Sequence, residues 1–179
     1  MDTKHAEAHS LAVGERVVLR DTRPSDVDTY LYWQTHGEWR EWDAPWATLA
    51  TPEQLSAFKG RFLAAVARTP ALPRSRATIT TKDGKPLGWV NRYSPEDCPD
   101  AWYVGIDICE DAYLNRGIGT EALRLWVDYL FKALGVDHIG LETWSFNKRM
   151  MRSPSAPQAD SCFQVGLAYP KRWAKYQVL

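Results

Sequence analysis

The chain has 179 residues, 45% of them hydrophobic and 25% charged, an ordinary globular composition and enough length to bury one core without disulfides or metals. Its 22 basic residues balance 22 acidic ones, so the average charge marks no surface for nucleic acid or an anionic membrane, and a small or neutral partner is expected. The three cysteines, Cys98, Cys109 and Cys162, are an odd number at unrelated spacings, which argues against a disulfide framework and suits a reducing compartment. The first ten residues, MDTKHAEAHS, are polar, and no run of eighteen apolar residues occurs, so a cytoplasmic protein without a membrane anchor is expected.

Residues 1 to about 12 read as a disordered leader, and 13–179 as a single domain. Glu15 to Asp21 has the β-branched centre of a strand. Arg23-Pro24-Ser25-Asp26 starts a helix, and Val27, Tyr30, Leu31 and Trp33 follow at helical spacing. From Gly37 to Pro52 no period is sustained, so a loop or broken short helix is expected. This region holds much of an unusual cluster: of nine tryptophans, Trp33, Trp39, Trp42 and Trp46 fall within fourteen residues, with Glu38, Glu41 and Asp43 between them. Thr51-Pro52-Glu53-Gln54 opens the next helix, whose apolar stripe of Leu55, Phe58, Phe62, Leu63 and Val66 runs to about Arg68.

Arg76 to Thr81 and Pro86 to Tyr93 flank Lys82-Asp83-Gly84-Lys85, whose Asp-Gly pair predicts a hairpin. Ala101 to Cys109 is a third strand of the same sheet. Trp102, Val104, Ile106 and Ile108 face one way along it, and Tyr103, Gly105, Asp107 and Cys109 the other. Asp107 is thereby a charged residue on a central strand, where aspartate is disfavoured. After a turn over Glu110 to Arg116, a helix from about Gly119 to Leu134 aligns Leu123, Trp126, Val127, Leu130, Phe131 and Leu134, and Gly135 ends it. Val136 to Trp144 is a further strand, parallel to the one carrying Asp107 because a helix joins them, and a short helix begins near Asn147. Beyond Arg152 two prolines forbid helix continuation over Ser153 to Asp160, and Cys162 to Tyr169 and Trp173 to Leu179 read as strands.

Gly117-Ile118-Gly119-Thr120-Glu121-Ala122 matches G-x-G-x-x-A, a pattern that two phosphate-binding solutions share. A dinucleotide fold places the glycines directly after a strand and repeats the unit, with an acidic residue about twenty positions on, near Glu142. Here about seven residues separate Cys109 from Gly117, antiparallel strands precede them, and little chain follows Glu142. The other solution sets the pyrophosphate of coenzyme A on the backbone N–H groups of the loop. Thr120 and Glu121 read as helix-start residues. His36 and His138 lack partners at metal-ligand spacing, so no metal site is expected.

The helices before the hairpin, the antiparallel strands, the loop-helix-strand and Asn147 together resemble the GNAT superfamily of N-acetyltransferases, over roughly Glu15 to Arg152. The likeness extends to its aminoglycoside 6'-N-acetyltransferase and ribosomal-protein N-acetyltransferase branches. It implies an α+β fold, a mixed, mostly antiparallel sheet flanked by helices, with acetyl-CoA as cofactor and acetyl transfer to a primary amine of a small molecule or peptide N-terminus. It also implies that Leu114, Asn115, Arg116, Gly117, Ile118, Gly119 and Thr120 cradle the pyrophosphate. Ile108 and Cys109 would pair with the pantetheine arm through their backbone, and Asn147 would hydrogen-bond the same arm. Leu114 stands where the superfamily motif carries Gln or Arg. Gly105-Ile106-Asp107 matches the general-base position, with Glu142 as second candidate. Trp33, Trp39, Trp42 and Trp46 would wall the acceptor site. The tyrosine that protonates the departing thiolate in such enzymes is missing after Arg152, which keeps open a non-catalytic acyl-CoA-binding protein; a homodimer would cover apolar surface left by the shortened helix.

Overall fold

The computed structural model describes residues 10–94, 96, 99, 101–144, 146–152, 165–168 and 175–178. Chain order runs β1 (Ser10–Val13), β2 (Val17–Arg20), a 3-10 turn (Pro24–Asp26), α1 (Val27–Trp33), α2 (Trp39–Asp43), α3 (Pro52–Val66), β3 (Arg76–Thr81), β4 (Pro86–Tyr93) and β5 (Tyr103–Ile108). After a second 3-10 turn (Asp111–Tyr113) come α4 (Ile118–Leu134), β6 (Gly140–Trp144), α5 (Lys148–Arg152), β7 (Val165–Ala168) and β8 (Lys175–Val178). The strands form one eight-stranded sheet in the order β1-β2-β3-β4-β5-β6-β8-β7. Every neighbouring pair is antiparallel except β5 and β6. This is the mixed α+β sheet expected from the sequence. The leader expected through residue 12 is corrected: Ser10–Val13 pairs with β2, the backbone of Gly14 and Val17 closing the turn between them at 2.9 Å.

The two faces of the sheet carry different cargo. On one, Ala122, Leu123, Trp126, Val127 and Leu130 of α4 pack on Val17, Leu19, Ala77, Ile79, Val90, Val104 and Leu141. The larger of these side chains contribute roughly 1.5–3 kcal/mol each on burial, which is why the helical stripe and the alternating strands dock here. On the other face Tyr30, Trp33 and Cys109 are buried among Trp39, Phe58, Phe62 and Trp89.

Local chemistry sets the helix ends as read. The Thr51 hydroxyl accepts from the Gln54 N–H at 3.3 Å while the Gln54 side chain accepts from the Thr51 N–H at 2.9 Å, a reciprocal cap on α3. The α3 stripe is less sheltered than its spacing implies: no residue of α3 is buried, and only Phe58 and Phe62 reach the Tyr30 cluster. Ahead of α1, the buried Arg20 guanidinium donates to both oxygens of Asp26 at 2.7 and 2.8 Å, tying β2 to the start of the helix.

Candidate active site

β5 and β6 pair only at Tyr103 with Gly140 and Val104 with Leu141, although both strands run on, to Ile108 and Trp144. The sheet therefore splays open beside Ile106 and Ile108. The Cys109 N–H donates to Leu87 O at 2.8 Å on the β4 side. Because N–H groups alternate edges along an antiparallel ladder, the N–H of Ile108 emerges on the opposite edge, into the gap.

The N-terminus of α4 opens on the same gap. Gly117 caps it at φ 75°, in the left-handed region that glycine tolerates, and no side chain among the described residues caps the helix. Asn115, at φ 58°, helps to fold the loop back. The first bond of the helix runs from the Glu121 N–H to Gly117 O at 3.0 Å, so the amides of the preceding turn project from its end. A cleft of about 1780 Å³ joins this loop to the splay and continues to the tryptophan-rich side. Such a site suits a phosphate on a long, narrow arm, with the phosphate at the positive helix end.

Asp107 faces the other half of the cleft. Burial, with the charge of Asp43, pushes its carboxyl up to about 7, against the Arg76 charge and a hydrogen bond from Trp89. Asp43 lines the same half, and desolvation raises its carboxyl too. Tyr93 donates a hydrogen bond to Glu142, and burial followed by that carboxylate raises the phenol well above its usual range. Asn91 reaches over Gly105, where an added Cβ would lie 2.4 Å from Asn91 Oδ1. A side chain at position 105, two residues before the aspartate, would displace the Asn91 carboxamide.

Of the residues expected at the site, Asp107, Glu142, Ile108, Leu114, Asn115, Gly117, Ile118, Gly119, Thr120, Asn147, Trp39 and Trp42 line this one cleft. The others depart from expectation. Trp33 is fully buried, its indole N–H donating to Glu110 Oε1 at 3.0 Å, so it is core and not acceptor wall. Trp46 is 52% exposed and packs edge-on to Trp144 with ring centres 4.8 Å apart, outside the cleft lining. The Cys109 side chain is buried and its N–H already serves Leu87 O, which leaves only Ile108 a free edge of that pair. Arg116 also lies outside the lining; its carbonyl accepts from Arg16 Nη1 at 3.0 Å. The Leu114 N–H serves the loop itself, donating to Asp111 O at 3.1 Å. The Asn147 carboxamide is engaged locally, Nδ2 donating to Trp42 O at 3.3 Å and Oδ1 accepting from the Met150 N–H at 3.0 Å. The proline-rich text after Arg152 lies outside the described residues, whereas β7 and β8 fall within the two expected strands.

Sequence reasoning missed Trp89, Arg76, Asn91 and Tyr93, which the hairpin carries into the cleft, and Arg16 and Arg124 beside the glycine loop. Their signal was the strand register: Trp89 opposes Asp107 and Asn91 opposes Gly105, so the residues across from the aspartate share its face.

The model of the acetyltransferase (GNAT) domain matches residues 16–153, and the chain belongs to that family. No curated protein matches it in sequence. Among solved structures it is similar to RimL, a ribosomal L7/L12 alpha-N-protein acetyltransferase in complex with coenzyme A, at 13% identity and TM-score 0.69, covering 95% of this chain and 96% of that one. It is likewise similar to the aminoglycoside acetyltransferase AAC(6')-Ib in complex with coenzyme A, at 20% identity and TM-score 0.64, covering 91% and 94%. A putative GNAT-family acetyltransferase from Bordetella pertussis gives 12% identity and TM-score 0.67 over 93% and 96%. The protein is an N-acetyltransferase with acetyl-CoA as its cofactor, and the uncapped α4 end and the splayed strand edge fit that molecule. Among the described residues no helix is long and apolar enough to cross a membrane.

Proposed function

We propose that the protein acetylates a primary amine by direct transfer from acetyl-CoA, with Asp107 as the general base. The observation that carries this reading is Asp107 itself, a carboxylate on the splayed strand, facing the acceptor half of the cleft and tuned to about 7. A base with pKa near the working pH combines a useful deprotonated fraction with real proton affinity. Glu142 faces the same cleft and accepts the Tyr93 hydrogen bond, while Asp107 is the carboxyl whose proton affinity burial raises to about 7, which favours Asp107 for the proton.

When bound, acetyl-CoA supplies an acyl carbon activated as a thioester. The loop from Asn115 to Thr120 would hold its pyrophosphate, and the Ile108 N–H, unused by β4, would donate to the thioester oxygen. Asp107 takes the proton from the acceptor ammonium and so frees the lone pair. Trp39 and Trp42 wall the acceptor, and Asn147 positions Trp42 through its carbonyl. Cys109 takes no covalent part: burial, and then the Asp107 charge, push its thiol far up, so no thiolate is available.

Thiol release from acetyl-CoA with a panel of amines tests the assignment. Asp107→Asn lowers kcat by about 100-fold or more, and the rise of rate with pH through about 7 disappears. An unchanged rate removes Asp107 from the mechanism. Coenzyme binding without turnover of any amine would favour the non-catalytic reading.

A further inference from the structure

Arg76 begins β3 opposite Asn91, and Trp89 stands opposite both Thr78 and Asp107. Residues two apart on a strand share a face, as do residues directly opposed, so Arg76, Asn91, Trp89 and Asp107 all look into the acceptor half of the cleft. The Arg76 guanidinium carbon lies 4.7 Å from the centre of the Trp89 ring and 5.5 Å from that of Tyr30. The rings hold the cation in place, yet they accept none of its five N–H donors in the manner of an oxygen.

Several other arginines of the fold are matched, whereas Arg124 beside the glycine loop, like Arg76, shows no side-chain partner among the described residues. Arg20 meets Asp26, Arg74 meets Asp21, Arg149 meets Glu38, and Arg92 donates to the Arg74 and Pro73 carbonyls. Arg76 alone among these five has no carboxylate or carbonyl partner among the described residues, while it borders the cavity. A planar guanidinium with unmatched donors is suited to bidentate capture of a carboxylate or phosphate.

Resting on the proposed amine acetylation, we infer that the acceptor is a small zwitterion, an amine bearing a carboxylate or phosphate a few bonds away, and that Arg76 binds its anionic group while Asp107 serves its amine. Arg76 stands two strands over and two residues along from Asp107, with Trp89 between them, and its guanidinium lies over that ring. The two charged ends of the acceptor must therefore be close. A short amino acid or aminoalkyl phosphate meets that requirement, and an extended polyamine does not.

The test compares glycine, β-alanine, γ-aminobutyrate and O-phosphoethanolamine with glycine methyl ester, ethanolamine and spermidine, measuring kcat and KM separately. The wild type prefers at least one anionic amine over its neutral counterpart. Arg76→Gln removes that preference by raising KM about 10- to 100-fold, with kcat/KM for the neutral amines changed far less. Arg76→Lys keeps part of the preference, since it retains charge without the fork. Coenzyme affinity and the thermal midpoint of each variant confirm that the fold survives. Equal loss for charged and neutral amines on Arg76→Gln, preference for spermidine, or no turnover of any anionic amine overturns the inference. Asp107→Asn separates the two readings: it lowers kcat for every amine and leaves selectivity intact, so unaffected rates there count against the base and not against Arg76.

Discussion

At the scale of single residues, Asp107 shows local preference yielding to position. Aspartate is disfavoured on a central strand, and burial makes its charge costly, which is why its carboxyl sits near 7 rather than near 4. A carboxyl raised in the folded state binds protons that the unfolded chain has released, so its stabilising contribution is complete below about pH 4 and is lost as pH rises through about 7. Asp107→Asn therefore leaves the thermal midpoint nearly unchanged at pH 4 and raises it at pH 8, by about 2–4 °C for each kcal/mol relieved in a chain of this size. Calorimetry of both proteins across that range checks the sign; a midpoint lowered at pH 8 would contradict it. Trp33 makes the complementary point. Its spacing within the tryptophan cluster suited an acceptor wall, but it lies at the inward side of α1 and closes the core against Glu110.

At the scale of elements, the loop before α4 depends on two glycines for different reasons. Gly117 adopts φ 75°, open to glycine at little cost, and leaves the helix end without a side-chain cap. Gly119 is in the helix, and a Cβ there would lie 3.5 Å from Ile108 Cγ1, an ordinary contact, so alanine fits. A larger side chain would fill the gap between the helix end and the splayed strand. Gly119→Phe weakens coenzyme A binding by about 10-fold or more, on the reasoning that displaced charge-assisted bonds to the phosphates are worth about 1.5–3 kcal/mol. Titration calorimetry with coenzyme A is the measurement, and unaltered affinity would refute the phosphate-loop assignment.

At the scale of the whole molecule, the decisive feature is a sheet that stops pairing halfway along β5 and β6. Four strands on the β1 side and the β7-β8 hairpin on the other hold the sheet together around that opening. Among the described residues the N–H of Ile108 has no strand partner in the gap, so hydrogen exchange at Ile108 is fast in the protein alone and slows about 10-fold or more on saturation with acetyl-CoA in the absence of an amine, as protection follows the added hydrogen bond to the thioester oxygen and the coupled closing of the site. Exchange at Val90, in the doubly flanked β4, stays slow throughout. Equal protection at Ile108 with and without the coenzyme would place the arm elsewhere.

The sequence by itself determined the elements and the glycine loop. Period-2 strands, the Asp-Gly hairpin, the reciprocal cap at Thr51 and the 17-residue amphipathic α4 are set by interactions within a few residues, which a linear text records. It also placed Asp107 on the face opposite Ile106 and Ile108. Only the tertiary structure decided which tryptophans line the cleft and which are buried, because Trp33 and Trp39 share composition and neighbourhood and differ in what packs against them. It alone brought Arg76 from β3 and Trp89 from β4 to Asp107 on β5, since strand register is fixed by pairing between segments far apart in the chain. The opening between β5 and β6 likewise belongs to no single segment, as it arises where two parallel strands diverge, and the glycine loop faces the same cleft.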